Sequence, residues 1–344
     1  MSSNELCIGL LGASRVATYA ILEPARALPG VRVHGVAARD SERAKRYAAE
    51  HGINRSYASY QDLLDDPEIG LVYVGTPPAY HVQQTLAAIA AGKATLVEKP
   101  FALDAAEARR VFIAAREADV PIFEAMHSPH HALFARLHAL LAQGRIGKLR
   151  HVEAVFDAPI PLDDPIRWSA VLGGGALMDL GVYPLAWVRR ICGEDFIVEI
   201  AEAKLRGDVD ASFSAKLRFE GGTTAIVSSS MTPDRPTAML HLQGERGPII
   251  VNNPLAPQLG HTLTITVDGN SQTETLGGPS TYEAQLAAVR DAVLGADFHP
   301  FPADDFVRSM KAIDRVRACL TLNAAPDAPT VEARHLGTNA KQGW

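Results

Sequence analysis

Short apolar runs alternate with longer segments of helical periodicity along the first 125 residues. Leu6 to Leu11, Val31 to Ala37, Gly70 to Val74, Ala94 to Val97 and Pro121 to Glu124 read as strands. Between them, Arg15 to Leu28, Ser41 to Glu50, Val82 to Ala91 and Ala105 to Ala118 carry the spacing of helices, with Ser41 suited to cap the second. Strands and helices in strict alternation build a parallel sheet covered on both faces, so this half is expected to be a doubly wound α/β domain.

The pattern changes at Ser128. Ser128 and Pro129 suit an N-cap and a first helical position, and the helix they open stops at Gly144. Beyond it, Val152 to Phe156, Ser212 to Phe219, Thr223 to Ser229, Ala238 to Leu242 and Leu263 to Val267 read as strands. Turn signals at Gly221-Gly222 and Asp268-Gly269 imply antiparallel neighbours. One helix, Ala176 to Cys192, interrupts this sheet, and two more, Tyr282 to Leu294 and Ala303 to Leu322, follow it. The expected architecture is a cofactor-binding α/β domain over residues 1–125 and an α+β domain over 126–344, the boundary falling within 125–148. The second domain is expected to be an open-faced, mainly antiparallel sheet with helices on one face. An apolar open face would be covered by another copy, which predicts a homodimer or homotetramer through that sheet.

Composition narrows the function classes. Among 344 residues, 33 basic side chains face 39 acidic ones for a net charge of -6, with no basic block, which argues against a nucleic-acid or membrane-surface role. Cys7, Cys192 and Cys319 are too far apart for a redox pair or zinc knuckle and suit reduced thiols. The start, Met1 to Glu5, shows no export signal, and no run reaches the roughly 18 apolar residues of a membrane helix. A cytoplasmic location is expected.

Chemistry-bearing residues gather where the strands end. The first strand runs into Gly9-Leu10-Leu11-Gly12-Ala13-Ser14-Arg15-Val16-Ala17, a degenerate dinucleotide fingerprint. Gly12 keeps the tight turn, while Ser14 and Ala17 replace the other two glycines. In this position the turn opens a Rossmann-type domain. The second strand ends Ala38-Arg39-Asp40, where an arginine would accept a 2′-phosphate and an aspartate a ribose hydroxyl. Arg39, with Arg43 one turn on, favours NADP(H) over NAD(H); the alternative is that Asp40 holds the ribose.

Glu98-Lys99-Pro100 follows the strand Ala94 to Val97, at the carboxyl edge where such sheets bind ligands. Proline restricts the Lys99 backbone to extended conformations. After Gly173-Gly174-Gly175, Asp179 and Tyr183 share a helix face, and Pro184 predicts a kink there. A lysine cation beside a tyrosine would stabilise its phenolate, making the two a plausible proton-transfer pair. His81, behind Gly75-Thr76-Pro77, is placed to meet a nicotinamide. His127, His130 and His131 with Glu124 nearby suggest metal ligands, but no dedicated ligand spacing accompanies them, so no metal is expected and His127 is read as lining the crevice. No GxSxG elbow is present for a serine hydrolase.

Together, the Gly9–Ala17 turn, Ala38-Arg39-Asp40, His81, Glu98-Lys99-Pro100 and Gly173-to-Pro184 resemble the Gfo/Idh/MocA oxidoreductase family across nearly the whole chain. The likeness is greatest to the branch that includes dimeric dihydrodiol dehydrogenase and NADP-dependent xylose dehydrogenase. The resemblance implies hydride transfer in a cleft between the two domains, with Lys99, Asp179 and Tyr183 catalytic and the last two at the substrate, where His127, read as lining the crevice, would join them. It assigns Gly12, Ala13, Ser14, Arg15, Val16, Ala38, Arg39, Arg43, Gly75, Thr76, Pro77, His81, Glu98, Lys99, Arg167 and Trp168 to the cofactor. Where relatives carry an aromatic-Arg-aromatic stretch, this chain has Ser128-Pro129-His130-His131-Ala132, so the substrate end of the pocket departs from them. The expected reaction interconverts a secondary alcohol or hemiacetal and a carbonyl on a sugar, cyclic polyol or similar compound. A trans-dihydrodiol dehydrogenase and a non-catalytic NADP-sensing regulator are the alternatives.

Overall fold

The computed structural model describes residues 5–295 and 301–324; the expectations for Met1 to Asn4 and for the second domain beyond 324 lie outside the described residues. Six strands, β1 (Leu6–Leu11), β2 (Val31–Ala37), β3 (Arg55–Tyr57), β4 (Leu71–Val74), β5 (Ala94–Val97) and β6 (Ile122–Glu124), form one sheet in the order β3-β2-β1-β4-β5-β6. Every neighbouring pair is parallel. All residues of β1, β4 and β5 are buried, which is why these strands read as unbroken apolar runs. The winding reverses between β1 and β4, and a ligand crevice opens beyond their carboxyl ends. The edge strand β3, whose Arg55 and Ser56 are exposed, left no apolar run to read.

Two local details differ from expectation. The first helix runs from Arg15–Ala17 through a π-helical turn, Thr18–Leu22, into Glu23–Ala27. Asp40, rather than Ser41, caps the helix Ser41–His51: its extended backbone places the carboxylate to accept the Glu42 N–H at 3.0 Å.

The second sheet has nine strands: β7 (Leu149–Asp157), β8 (Phe196–Arg206), β9 (Val209–Phe219), β10 (Thr224–Ser230), β11 (Thr237–Gly244), β12 (Gly247–Asn252), β13 (Thr262–Val267), β14 (Asn270–Glu274) and β15 (Leu320–Ala324). Their order is β14-β13-β12-β11-β7-β10-β9-β8-β15. The glycine turns do join antiparallel pairs, β9 to β10 and β13 to β14. Two contacts are parallel instead, β7 with β10 and β8 with β15. The last expected helix stops at Ala318, and the alternating Leu320–Ala324 becomes an edge strand.

One face of this sheet is buried under helices, through Val152, Ala154, Phe213, Leu217, Val227 and Leu240. The opposite face is mixed rather than continuously apolar: Ser214, Lys216, Arg218 and Thr264 share it with Val155, Ile226, Met239 and Ile250. The helix Thr281–Val293 leaves this sheet and packs Leu286 and Val289 into the core beneath β1 and the first helix. A single cut at 125–148 therefore misses a segment that returns to the first domain and reaches the crevice.

Candidate active site

The crevice begins with two turns in contact. Gly12 has φ +105°, and a Cβ there would lie 3.0 Å from the Gly75 carbonyl oxygen; one at Gly75 would lie 2.6 Å from the Tyr73 ring. Only glycine fits either place, and the cradle left open suits a dinucleotide pyrophosphate. Ser14 Oγ caps the following helix by accepting the Ala17 N–H at 3.2 Å. From behind, Arg43 Nη2 donates to Ala13 O and Tyr47 OH to Ser14 O, both at 2.9 Å. Arg43 thus braces the turn through a carbonyl. Arg15 and Arg39 are exposed, and Arg39 makes no side-chain hydrogen bond or ion pair among the described residues. Ala38, just past the end of β2, is buried.

His81 is not at the crevice surface. Its ring is fully buried, with Nε2 2.7 Å from Thr76 O and Nδ1 3.0 Å from Pro100 O, and burial pushes its pKa down to about 4. It ties the turn after β4 to the turn after β5, so the expected nicotinamide contact is replaced by a brace. Thr76 Oγ1 donates to Gln84, and Pro77 starts a 3-10 turn at Pro78–Tyr80.

Beyond β5, the Lys99–Pro100 bond is cis. Glu98 accepts from Tyr73 OH at 2.7 Å and from the Lys99 N–H at 3.2 Å. Burial raises its carboxyl pKa. Lys99 Nζ crosses to the second domain, donating to Asp179 O at 2.7 Å and Asp179 Oδ1 at 3.0 Å.

The break in the chain after Asp179 makes this contact possible. Sequence predicted one helix kinked near Pro184; the structure has two, Ala176–Asp179 and Val182–Cys192, and the chain bends by 51° between the segment Ala170–Asp179 and the second helix. In a continuous helix the Tyr183 N–H would take the Asp179 carbonyl. Here it takes Leu180 O at 3.1 Å, which leaves Asp179 O for Lys99. Gly181 sits in the break, where a Cβ would come within 2.4 Å of the Phe213 ring.

The three glycines before this helix each have a reason. A Cβ on Gly173 would strike Leu103 at 2.7 Å, and one on Gly174 would lie 2.4 Å from Arg167 O. Gly175 has φ +105° and donates its N–H to Arg167 O at 3.0 Å. That close approach delivers Arg167, whose Nε lies 3.0 Å from Asp179 Oδ2. Burial alone would raise the Asp179 pKa, but Lys99 and then Arg167 hold it below the usual value. The short helix is capped from the adjacent sheet by Asp210 of β9, which accepts the Leu177 N–H at 2.6 Å.

Lys99 Nζ also lies 5.1 Å from the centre of the Tyr183 ring. The ammonium is on the ring face; the hydroxyl partner is His127, with Nε2 3.2 Å from Tyr183 Oη. Burial pushes the Tyr183 pKa well above its ordinary value, with the neighbouring Tyr282 and Glu98 adding to it. His127 Nδ1 is 2.9 Å from Thr281 Oγ1, and its ring stacks on Tyr282 at 4.1 Å. Tyr282 in turn meets Tyr19 at 5.4 Å. With both nitrogens engaged, His127 stands behind Tyr183 rather than as a free substrate ligand.

Trp168 does not join this group: its indole N–H donates to Pro161 O at 2.9 Å, and Arg206 lies over its ring at 4.4 Å. Nor do the other histidines gather around Glu124. His131 caps a helix through Leu133 N and meets His261, while Glu124 accepts from Ser309. His34, Asp66 and Glu68 are the one trio of possible metal ligands brought together among the described residues, and Asp66 is already taken by Arg55 and Tyr57. Sequence reading missed Tyr19, Asp210, Thr281 and Tyr282, none of which stands in a motif.

Comparison with known proteins places this geometry. Residues 6–126 match the model of an oxidoreductase family with an NAD-binding Rossmann fold, and residues 134–250 match the GFO/IDH/MocA C-terminal domain. A dTDP-3,4-didehydro-2,6-dideoxy-alpha-D-glucose 3-reductase from Saccharopolyspora spinosa is 33% identical over 91% of this chain and 97% of its own. A trans-1,2-dihydrobenzene-1,2-diol dehydrogenase from Xenopus laevis is 36% identical over 61% of this chain and 64% of its own. Among solved structures, a 3-ketoreductase from Actinomadura kijaniata in complex with NADP and TDP-benzene superposes with a TM-score of 0.87 at 27% identity, covering 94% of this chain and all (100%) of that one. A dinucleotide cradle, a lysine and tyrosine at the mouth of the same crevice, and family matches across both halves lead to one conclusion: the chain is an oxidoreductase of the GFO/IDH/MocA family.

Proposed function

We propose that this oxidoreductase interconverts a secondary alcohol or hemiacetal and a carbonyl on a sugar, cyclic polyol or similar hydroxylated small molecule, with NADP(H) favoured over NAD(H). The observation that carries this reading is the Lys99 ammonium, fixed by Asp179 and set against the Tyr183 ring at the crevice. A nicotinamide dinucleotide held at the Gly12 turn would supply or accept the hydride. Tyr183 gives its phenol proton to the substrate oxygen in reduction and takes one in oxidation. Lys99 has one N–H left after its two bonds to Asp179, and it donates that hydrogen to the same oxygen while its charge favours the phenolate. Asp179, itself paired with Arg167, holds the lysine in place.

NADP(H) preference rests on the second turn. Asp40 spends its carboxylate on the helix cap, while Arg39 is exposed beside the Tyr60 hydroxyl with no anionic partner among the described residues. A 2′-phosphate would supply that partner. The half-buried rings of Tyr19 and Tyr282, tilted against each other at 5.4 Å, also favour a planar substrate, so a cyclic diol of the kind named for the Xenopus relative is the second reading. The same proposal places the enzyme in the cytoplasm as a homodimer or homotetramer through its second sheet, without nucleic-acid or membrane partners.

The test is fluorescence titration with NADPH and NADH on wild type and Arg39→Ala, followed by turnover of ketoses, nucleotide sugars, inositols and cyclic diols. Tight NADPH binding weakened by the substitution, with turnover of one class, supports the reading. Equal NADH binding overturns the cofactor preference. NADPH binding with no turnover of any class would make the protein a sensor.

A further inference from the structure

His127 is 3% exposed and holds a hydroxyl at each ring nitrogen: Tyr183 Oη at 3.2 Å from Nε2 and Thr281 Oγ1 at 2.9 Å from Nδ1. Burial, and then the Lys99 charge, push its pKa down to about 3, so the ring is neutral at physiological pH. A neutral imidazole has one N–H and one lone pair, and the row of hydrogen bonds can run in only two directions.

In the first, Nδ1–H donates to Thr281 and Tyr183 donates inward to Nε2. The Thr281 hydrogen then has no acceptor among the described residues, although this residue is 0% exposed. A buried donor left without an acceptor forfeits its hydration with nothing in return, which disfavours this direction. The phenol proton would also point away from any substrate. In the second, Thr281 donates to Nδ1 and Nε2–H donates to Tyr183 Oη. Every hydrogen in the row then has an acceptor except that of the phenol, which is left free for the substrate oxygen.

We propose that His127, its tautomer set by Thr281, is the positioning residue for Tyr183: its Nε2–H holds the phenol oxygen so that the phenol O–H faces the substrate oxygen. This rests on Tyr183 as the proton donor. In reduction the phenol O–H bond breaks, the proton joins the substrate oxygen, and the electron pair stays on the phenolate. The hydride from the nicotinamide cofactor reduces the carbonyl carbon. His127 remains neutral throughout and stabilises the phenolate through the N–H it already shares with that oxygen. A solvent proton restores the phenol after product leaves.

The groups facing Tyr183 are Lys99 and Glu98 from the turn after β5, Asp179 from the preceding helix, Arg167, Tyr19 and Tyr282. Of the described residues, His127 is the one in hydrogen-bond contact with its hydroxyl. The experiment compares His127→Phe, His127→Gln and Thr281→Val with wild type in the oxidation direction, recording kcat against pH together with KM and NADPH binding. Phe keeps the stack on Tyr282 but removes the N–H, whereas Gln places an N–H near the lost Nε2. A hydrogen bond to a charged group is worth roughly 1.5–3 kcal/mol, so His127→Phe should lower kcat by about 10- to 100-fold at neutral pH. Its tyrosine limb should move up by about one pH unit or more, with NADPH binding within about twofold. His127→Gln should recover most of both, and the isosteric Thr281→Val should move the limb part of the way. An unmoved limb in Thr281→Val and His127→Phe, or Gln behaving like Phe, overturns the proposal. If His127→Phe does not fold, Thr281→Val decides by itself. Turnover retained in Tyr183→Phe would instead overturn the proton-donor reading on which this one rests.

Discussion

Gly175→Ala tests how the short helix that presents Asp179 is held. The added Cβ would lie 2.2 Å from Asp210 Oδ1, and the backbone, at φ 105° and ψ 154°, occupies a region used almost only by glycine. Holding an alanine there costs about 1–3 kcal/mol. Asp210 must also retreat, which releases the Leu177 N–H it accepts at 2.6 Å. Loss of such a cap costs about 0.5–2 kcal/mol. The two effects give a destabilisation of roughly 1.5–5 kcal/mol. Urea unfolding of Gly175→Ala, Asp210→Ala and the double variant separates them. In the Asp210→Ala background the clash and the cap are already gone, so Gly175→Ala should cost only the backbone strain, about 1–3 kcal/mol, and less than it does in wild type. Equal costs in both backgrounds, or a cost below about 0.5 kcal/mol in wild type, would refute the reasoning.

Burial raises the Asp210 pKa from 3.8 to about 6. A folded-state pKa above the unfolded one means that the stabilising contribution is present at low pH and is lost as pH rises through about 6. Asp210→Asn should flatten that dependence in urea midpoints taken between pH 4 and 7; an unchanged slope would place the titration elsewhere. Asp179→Ala leaves the Lys99 and Arg167 cations facing each other without their carboxylate and should cost about 3 kcal/mol or more in unfolding, with kcat falling further than NADPH binding. Wild-type stability in that variant would show that the contact carries no weight. Arg39→Ala should weaken NADPH binding by roughly 10- to 100-fold and leave NADH binding unchanged, the loss of one charge-assisted contact of about 1.5–3 kcal/mol; equal losses for both cofactors would point to damage to the turn.

What could be read in advance depended on whether a residue's role was local. Buried parallel strands and the Gly12, Lys99 and Asp179-to-Tyr183 motifs carry their reasons within a few residues, and the sequence showed them. His81 misled because its position after a strand end fits the crevice equally well, and only the fold shows that Thr76 and Pro100 claim its nitrogens. The partner of the Tyr183 hydroxyl lies 56 residues earlier in the chain, and the partner of that histidine lies 154 residues after it. The second contact requires the helix Thr281–Val293 to leave its own sheet and return to the first domain, which no periodicity announces. The cap of the Asp179 helix is hidden for the same reason: Asp210 is an ordinary alternating residue of β9 until the sheet places it beside Gly175.

The most direct test of the central claim is single-turnover NADPH oxidation with the best carbonyl substrate, measured for wild type, Lys99→Ala and Tyr183→Phe at equal cofactor saturation. Positioned general acids contribute roughly 10²- to 10⁴-fold, so both variants should fall by at least about 100-fold while NADPH affinity holds. A Tyr183→Phe enzyme that turns over within a few fold of wild type would contradict the account.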